Sequence, residues 1–238
     1  MIAILRYIIF IFFLFFSLFV VTPFAILRPF SPKNNYTFFR VFAIFMKVFA
    51  GISIKTINKE ILWKHRPSIV VGNHQHNLDV LVAHGFFTNF MVVLGKYELG
   101  FIPYFGQIYI LFGNLLIKRG KRDKALKSMQ DLENKIINKK LSVVIFPEGH
   151  RNPKRKLLPF KKGAYYTAIK TGVPIIPFSV SQFVSFNQMN KFGMMNVYVK
   201  IHEPIPTAGL TKKDIPELIT KTRSVIESGI EELNKNYQ

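Results

Sequence analysis

No charged residue interrupts the chain from Tyr7 to Leu27. At about 1.5 Å of rise per residue, a helix over this run is long enough to match a hydrocarbon core about 30 Å thick. A secretory signal peptide is the alternative, but its apolar region is shorter, and no small-residue cleavage site follows here. The run therefore predicts a helix that anchors the protein to a membrane.

A second apolar stretch runs from Tyr36 to Ile52 and differs from the first in carrying two cations. Arg40 and Lys47 stand two helical turns apart on one face, and most other positions are Phe, Val, Ile or Met. This pattern is typical of a helix that lies at the membrane interface, with basic side chains reaching the headgroups. The loop 28–33 joins both stretches into a hairpin, so we expect an anchoring hairpin over residues 1–52 and an α/β domain over residues 53–238.

The cations that flank the first run bear on its topology. Arg28, Lys33 and Arg40 favour the cytoplasmic side of a membrane. A single crossing would place one flank outside, so a re-entrant or in-plane hairpin in one leaflet explains the charges better. We expect the protein at the inner (cytoplasmic) membrane, with the domain that follows the hairpin facing the cytoplasm.

Composition points to an anionic partner. Lys and Arg number 33 against 13 Asp and Glu, which gives a net charge of +20. Phe alone occurs 25 times, in apolar runs rather than between cations, so the sequence favours a membrane over nucleic acid. Cysteine is absent, which excludes disulfides and thiolate metal sites.

After Ile52, short strand-like runs alternate with amphipathic helical runs. Such alternation is typical of an α/β protein, and we expect a mixed sheet flanked by helices and preceded by the hydrophobic hairpin. The predicted strands lie near residues 54–57, 68–72, 90–94, 114–117, 142–146, 174–180 and 196–201, and the predicted helices near 78–87, 121–138, 163–170 and 216–234.

The first polar motif follows the second predicted strand. His74 lies in the turn after the apolar run 68–72, and Asp79 lies in the first turn of the next helix, with Asn77 as its candidate N-cap. The imidazole can fold back onto the carboxylate, and an imidazole held in one tautomer is a candidate general base. The alternative is a polar turn whose Asp only stabilises the helix dipole.

The second motif, Phe146–Arg151, follows the apolar run 142–146. Gly149 permits a sharp turn and close approach to a ligand, while Glu148 and Arg151 supply one acceptor and one planar donor suited to phosphate. A structural turn with a surface ion pair is the alternative.

Two further stretches follow strand-like runs. Gly113–Arg119 delivers cations at a strand end, and Arg119 is its best candidate for the site. Gly172–Pro177 brackets a short apolar strand with prolines, which is more often scaffold than chemistry. Because an α/β sheet collects its site at the carboxyl ends of its strands, we expect the polar residues of these motifs to meet there.

In this order and spacing, the four motifs resemble the glycerolipid acyltransferase family built around the His-x4-Asp motif, and within it the bacterial enzymes that acylate 1-acyl-sn-glycerol 3-phosphate. Two further stretches add to the resemblance: Gly95-Lys96 with Ile102–Gly106, and Leu158–Gly163. The likeness covers the chain from the hairpin to the last helix.

The resemblance implies a role for each site residue. His74 would be the general base and Asp79 its partner, while Lys96, Arg119 and Arg151 would hold the acceptor's phosphate. Glu148 would orient Arg151 or a glycerol hydroxyl, with Gly149 beside it. The partners implied are a membrane lipid, lysophosphatidic acid and an acyl donor, either acyl-CoA or acyl carrier protein, with no further cofactor, no metal and no nucleic acid.

The chain departs from the family pattern at two positions: Lys118 stands where an acid usually precedes the Arg, and His150 where Thr is usual. Three alternatives remain. They are a relative acting on another lysophospholipid, a metal hydrolase using His74, His76, Asp79 and His150, and a non-catalytic basic module that binds membranes or RNA.

Overall fold

A computed structural model describes residues 1–75, 79–118, 122–152, 156–182, 190 and 193–237. Arg119, His76 and Asn77, each singled out above, lie outside this range. The helices are α1 Ile2–Leu27, α2 Lys33–Ala50, α3 Ile61–Lys64, α4 Asp79–Phe86, α5 Phe105–Leu111, α6 Arg122–Lys139, α7 Gly163–Thr171 and α8 Ile215–Tyr237, with short 3₁₀ helices at Tyr97–Phe101 and Lys212–Asp214.

The strands are β1 Ile52–Ile57, β2 Ile69–Gly72, β3 Met91–Lys96, β4 Leu115–Ile117, β5 Ser142–Ile145, β6 Ile175–Val180 and β7 Met195–Ile201. They form one sheet in the order β1-β7-β6-β2-β5-β3-β4. Neighbouring strands are parallel except β6 and β7, which are antiparallel. The predicted mixed α/β sheet is confirmed, and β2 to β6 all end at the same edge.

Alternate side chains of the central strand β2 point to opposite faces of the sheet. Val70 belongs to a hydrophobic cluster that also contains α1, α2 and α4. Ile69 and Val71 belong to a second cluster with α6, α7 and α8. Helices therefore cover both faces, which is the arrangement that buries parallel strands completely.

The hairpin forms as predicted, and one face of α2 packs on the sheet. Its residues Phe38, Phe42 and Met46 are buried in the cluster on the sheet, whereas Ile44 and Phe49 stay exposed. The 3.6-residue period places an apolar stripe on α2 but does not tell whether protein or lipid covers it. The division at residue 52 stays a prediction.

Candidate active site

The turn after β2 brings together the first two predicted site residues. Nδ1 of His74 lies 2.5 Å from Oδ2 of Asp79, and the same carboxylate oxygen accepts the backbone N–H of Gln75 at 2.7 Å. Asp79 is buried, while the His74 side chain is 20% exposed. A buried acid thus holds an imidazole that remains partly exposed.

Phe146 fixes the plane of the imidazole. Its ring stacks on that of His74 with centroids 4.2 Å apart and planes 21° apart, and it contacts Phe178 of β6 edge-on. Because Phe146 directly follows β5, a neighbour of β2, the sheet itself positions this platform. The sequence motif contained Phe146, but only the sheet order reveals its contact with His74.

Two amides tie the same turn to β6. The side chain of Asn73 donates to the Val180 carbonyl at 3.1 Å and accepts the Val180 N–H at 2.9 Å. Nε2 of Gln75 donates to the carbonyls of Val180 and Ser181. The sequence does not indicate a role for either amide, because their partners lie more than a hundred residues away along the chain.

Glu148 is buried beneath the turn and not directed at solvent. Its Oε1 accepts the His74 N–H at 2.8 Å, and its Oε2 accepts the Leu158 N–H at 2.9 Å. Burial raises the pKa of Glu148 above its usual value, and the two backbone donors oppose that rise. The carboxylate supports the turn that carries His74, and its contact with Arg151 or with substrate stays a prediction.

Gly149 has a backbone conformation that favours glycine, with φ at +74°. A β-carbon at this position would stand 2.9 Å from Cε and Nζ of Lys161. The Lys161 N–H in turn donates to the Pro147 carbonyl at 2.8 Å. The glycine therefore lets the Lys161 side chain lie against the turn, a contact that the sequence motif alone did not reveal.

Two of the three predicted phosphate ligands, Lys96 and Arg151, lie at the same edge of the sheet. Lys96 ends β3 and is exposed, and Arg151 is exposed two residues beyond Gly149. Since β3 is separated from β2 only by β5, the strand ends lie about 10 Å apart. Arg119, the third predicted cation, lies outside the described residues.

The structure also shows Lys118 and His150, the two residues that depart from the family pattern. Nζ of Lys118 lies 4.8 Å above the ring of Tyr97, and His150 is exposed. Among the residues that the structure describes, no three His, Asp or Glu side chains are grouped to hold a metal ion.

Comparison with known proteins adds the chemistry. A family model described as Acyltransferase matches residues 53–181. The 1-acyl-sn-glycerol-3-phosphate acyltransferase of Escherichia coli is 35% identical over 212 residues, which cover 89% of this chain and 86% of the relative. The human 1-acyl-sn-glycerol-3-phosphate acyltransferase beta is 36% identical over 194 residues, covering 81% and 70% of the two chains.

A solved structure shares the whole fold. The crystal structure of the 1-acyl-sn-glycerophosphate (LPA) acyltransferase PlsC from Thermotoga maritima superposes with a TM-score of 0.73 and 26% identity, covering 100% of this chain and 99% of that one. The predicted family resemblance is confirmed by both the sequence and the structure. The chain therefore belongs to the acyltransferase family of enzymes.

Proposed function

We propose that the protein transfers an acyl group from an acyl thioester to the sn-2 hydroxyl of 1-acyl-sn-glycerol 3-phosphate, which yields phosphatidic acid. The names of the bacterial and human relatives support this acceptor. The observation that carries the chemistry is the pairing of His74 with the buried Asp79 at 2.5 Å. Acyl transfer to a hydroxyl needs such a base, and the pair lies where a parallel sheet collects its site.

His74 acts through Nε2, the ring nitrogen that does not face Asp79. An ionised carboxylate can only accept a hydrogen bond, so Nδ1 carries the hydrogen that points to Asp79. Nε2 therefore keeps its lone pair and can accept a proton. Nε2 removes the proton of the acceptor hydroxyl as that oxygen bonds to the thioester carbonyl carbon. The C–S bond then breaks, and the imidazolium returns the proton to the departing thiolate. The acceptor oxygen is itself the nucleophile, so no Ser or Cys is needed.

The cations at the same edge hold the acceptor's phosphate. Lys96 and Arg151 are both exposed there, and Arg supplies two parallel donors that match a phosphate. We assign Arg119 to the same task from the family pattern. The donor is acyl-CoA or acyl carrier protein, and a net charge of +20 attracts either anionic carrier.

The hairpin holds the enzyme at the cytoplasmic face of the inner membrane. Among the described residues, α1 is the helix long and apolar enough to cross a bilayer. Both of its ends nevertheless bond to the catalytic part: Ala3 N–H to Asn190 at 2.9 Å, and Thr22 to the Tyr104 hydroxyl at 2.9 Å. A helix bonded at both ends to one domain lies along it, which favours insertion into a single leaflet.

Purified enzyme assayed with lysophosphatidate and with other lysolipids tests this function. We expect turnover with lysophosphatidate to fall by about 10²–10⁴ in His74→Ala and the acceptor KM to rise in Arg151→Ala. His65→Ala removes an exposed histidine outside the site and serves as the matched control.

Normal turnover by His74→Ala would refute the mechanism. Equal turnover with a lysolipid that lacks the phosphomonoester would refute the proposal that lysophosphatidate is the acceptor. Loss of turnover on adding a chelator would favour the metal hydrolase.

A further inference from the structure

The segment from Tyr97 to Ile117 directly follows Lys96 and contains one charged residue, Glu98. It forms the first 3₁₀ helix, α5 and β4, on the hairpin side of the site. Several of its large apolar side chains are exposed, and Phe101 is the most exposed of them at 70%. We call this surface the Phe101 patch; its members are Tyr97, Phe101, Ile102, Tyr104 and Ile110.

Contacts link part of the patch. The rings of Tyr97 and Phe101 meet edge-on with centroids 5.2 Å apart, and the Ile110 side chain reaches the position of Gly100. A cluster of exposed apolar side chains on one surface is uncommon in soluble proteins and marks a contact with a protein or a membrane.

The patch continues the exposed face of α1. The Tyr104 hydroxyl bonds to Thr22 of α1 at 2.9 Å, and the Phe30 N–H beyond the end of that helix donates to the Leu111 carbonyl at 2.8 Å. Phe19 and Ile26, three residues before and four after Thr22, lie on the same helical face and are both exposed. One apolar surface thus extends from the anchor to the patch.

Cations border the patch where it meets the sheet. Lys96 precedes Tyr97 and Lys118 lies over its ring at 4.8 Å. An amphipathic aromatic ring beside lysines is the pattern of a segment at headgroup depth, where the ring enters the acyl boundary and the ammonium groups meet lipid phosphates.

We propose that the Phe101 patch is a second membrane contact, which inserts into the acyl boundary of a leaflet that contains anionic phospholipid. Together with α1 it presents the end of β3, and hence Lys96, at headgroup level. A lysolipid then reaches the site sideways from the leaflet without leaving it. The purpose of the contact rests on the proposed function, but the contact itself is measurable without turnover.

Fluorescence tests the contact, since the chain contains one tryptophan, Trp63. The full chain with Trp63→Phe and Phe101→Trp is reconstituted in phosphatidylethanolamine–phosphatidylglycerol vesicles with brominated acyl chains. We expect the new tryptophan to lose about half its emission, because an interfacial side chain inserts ~5–10 Å to the depth of the bromines. The matched control, Trp63→Phe with Tyr166→Trp, alters an exposed aromatic on α7, on the other face of the sheet.

Equal quenching at both positions would overturn the proposal. So would emission that shifts with protein concentration or with added acyl carrier protein but not with bromine, since a protein partner would then cover the patch.

A second variant, Phe101→Asp, should raise the KM for vesicle-bound lysophosphatidate several-fold and leave the KM for a water-soluble short-chain acceptor unchanged. Equal effects on both acceptors would also contradict the proposal. Quenching without acylation of lysophosphatidate would instead refute the proposed function and still support the membrane contact.

Discussion

The Glu148 carboxylate accepts the backbone N–H of His74 at 2.8 Å, so the acid of the second motif supports the histidine of the first. Its other oxygen accepts the Leu158 N–H at 2.9 Å. A buried carboxylate with both oxygens bonded to backbone donors fixes two chain segments at once. The spacing of the two motifs, far apart in sequence, therefore reflects one structural unit around the imidazole.

Glu148→Gln should impair folding as well as catalysis. The amide retains one acceptor oxygen and turns an NH₂ group toward the other backbone donor, which leaves a buried N–H without its acceptor. Such a loss costs about 1–3 kcal/mol, and urea unfolding in detergent measures it. Glu231→Gln, an exposed change on α8, is the control. Unchanged stability and turnover in Glu148→Gln would contradict the supporting role.

The same residue sets a pH dependence with a definite sign. Burial raises the pKa of Glu148 in the folded protein above its usual 4.5. Between those two values the folded state holds more protons than the unfolded state, so its stability falls as pH rises through this window. We expect Glu148→Gln to lack this part of the slope when unfolding is followed from below pH 4.5 to neutral. An identical slope in the wild-type protein and the variant would show that another group is responsible.

Asp79→Asn tests the pairing with His74 at nearly constant volume. The amide cannot accept the Nδ1 proton as a carboxylate does, and it does not stabilise the imidazolium that forms during transfer. We expect kcat to fall by about 10²–10⁴ with a smaller change in acceptor KM, measured by steady-state kinetics. Asp131→Asn on the exposed surface of α6 is the isosteric control, and a kcat equal to that control would exclude the role of Asp79.

Gly149→Ala separates two reasons for a glycine. A β-carbon there combines a φ of +74° with a 2.9 Å contact to the Lys161 side chain, whereas Gly172 has a similar φ of +69° and nothing within 4 Å. Gly172→Ala therefore measures the backbone strain alone. We expect Gly149→Ala to lose more activity, because it also displaces the flexible end of the Lys161 side chain from the turn beside His74. Equal losses in the two variants would remove the side-chain contact from the explanation.

The strands of the described residues were predictable because they are short apolar runs, or alternating runs at the sheet edge such as β1 and β7, bounded by polar turns. In parallel strands such as β2 and β5 every residue is buried, and the sequence reads as an uninterrupted apolar run. The long helices α6 and α8 were predictable from their period. By contrast α3, α5 and the 3₁₀ helix at Tyr97–Phe101 are too short to show one.

The candidate site residues could be proposed from the sequence, but their geometry could not. His74 and Asp79 lie close in sequence, so their pairing follows from one turn. Support from Glu148, Phe146 and Asn73 depends on β5 and β6 flanking β2, and strand order is not encoded in any local pattern. The apolar stripe of α2 was predictable from its period, but its packing on the sheet was not.

The hairpin gives the last prediction, on topology. If α1 lies along the domain, its N-terminus stays on the same side of the bilayer as the catalytic part. The contacts of Ala3 with Asn190 and of Arg6 with the Gly193 carbonyl at 2.5 Å support this arrangement. A spanning helix would instead carry its N-terminus about 30 Å across the hydrocarbon core. Because the chain contains no cysteine, a single one inserted after Met1 can be labelled selectively with a membrane-impermeant maleimide in spheroplasts and in inverted vesicles. We expect it to react only in inverted vesicles, as Lys213→Cys on the catalytic part should; labelling in spheroplasts would establish a spanning α1 and exclude the in-plane hairpin.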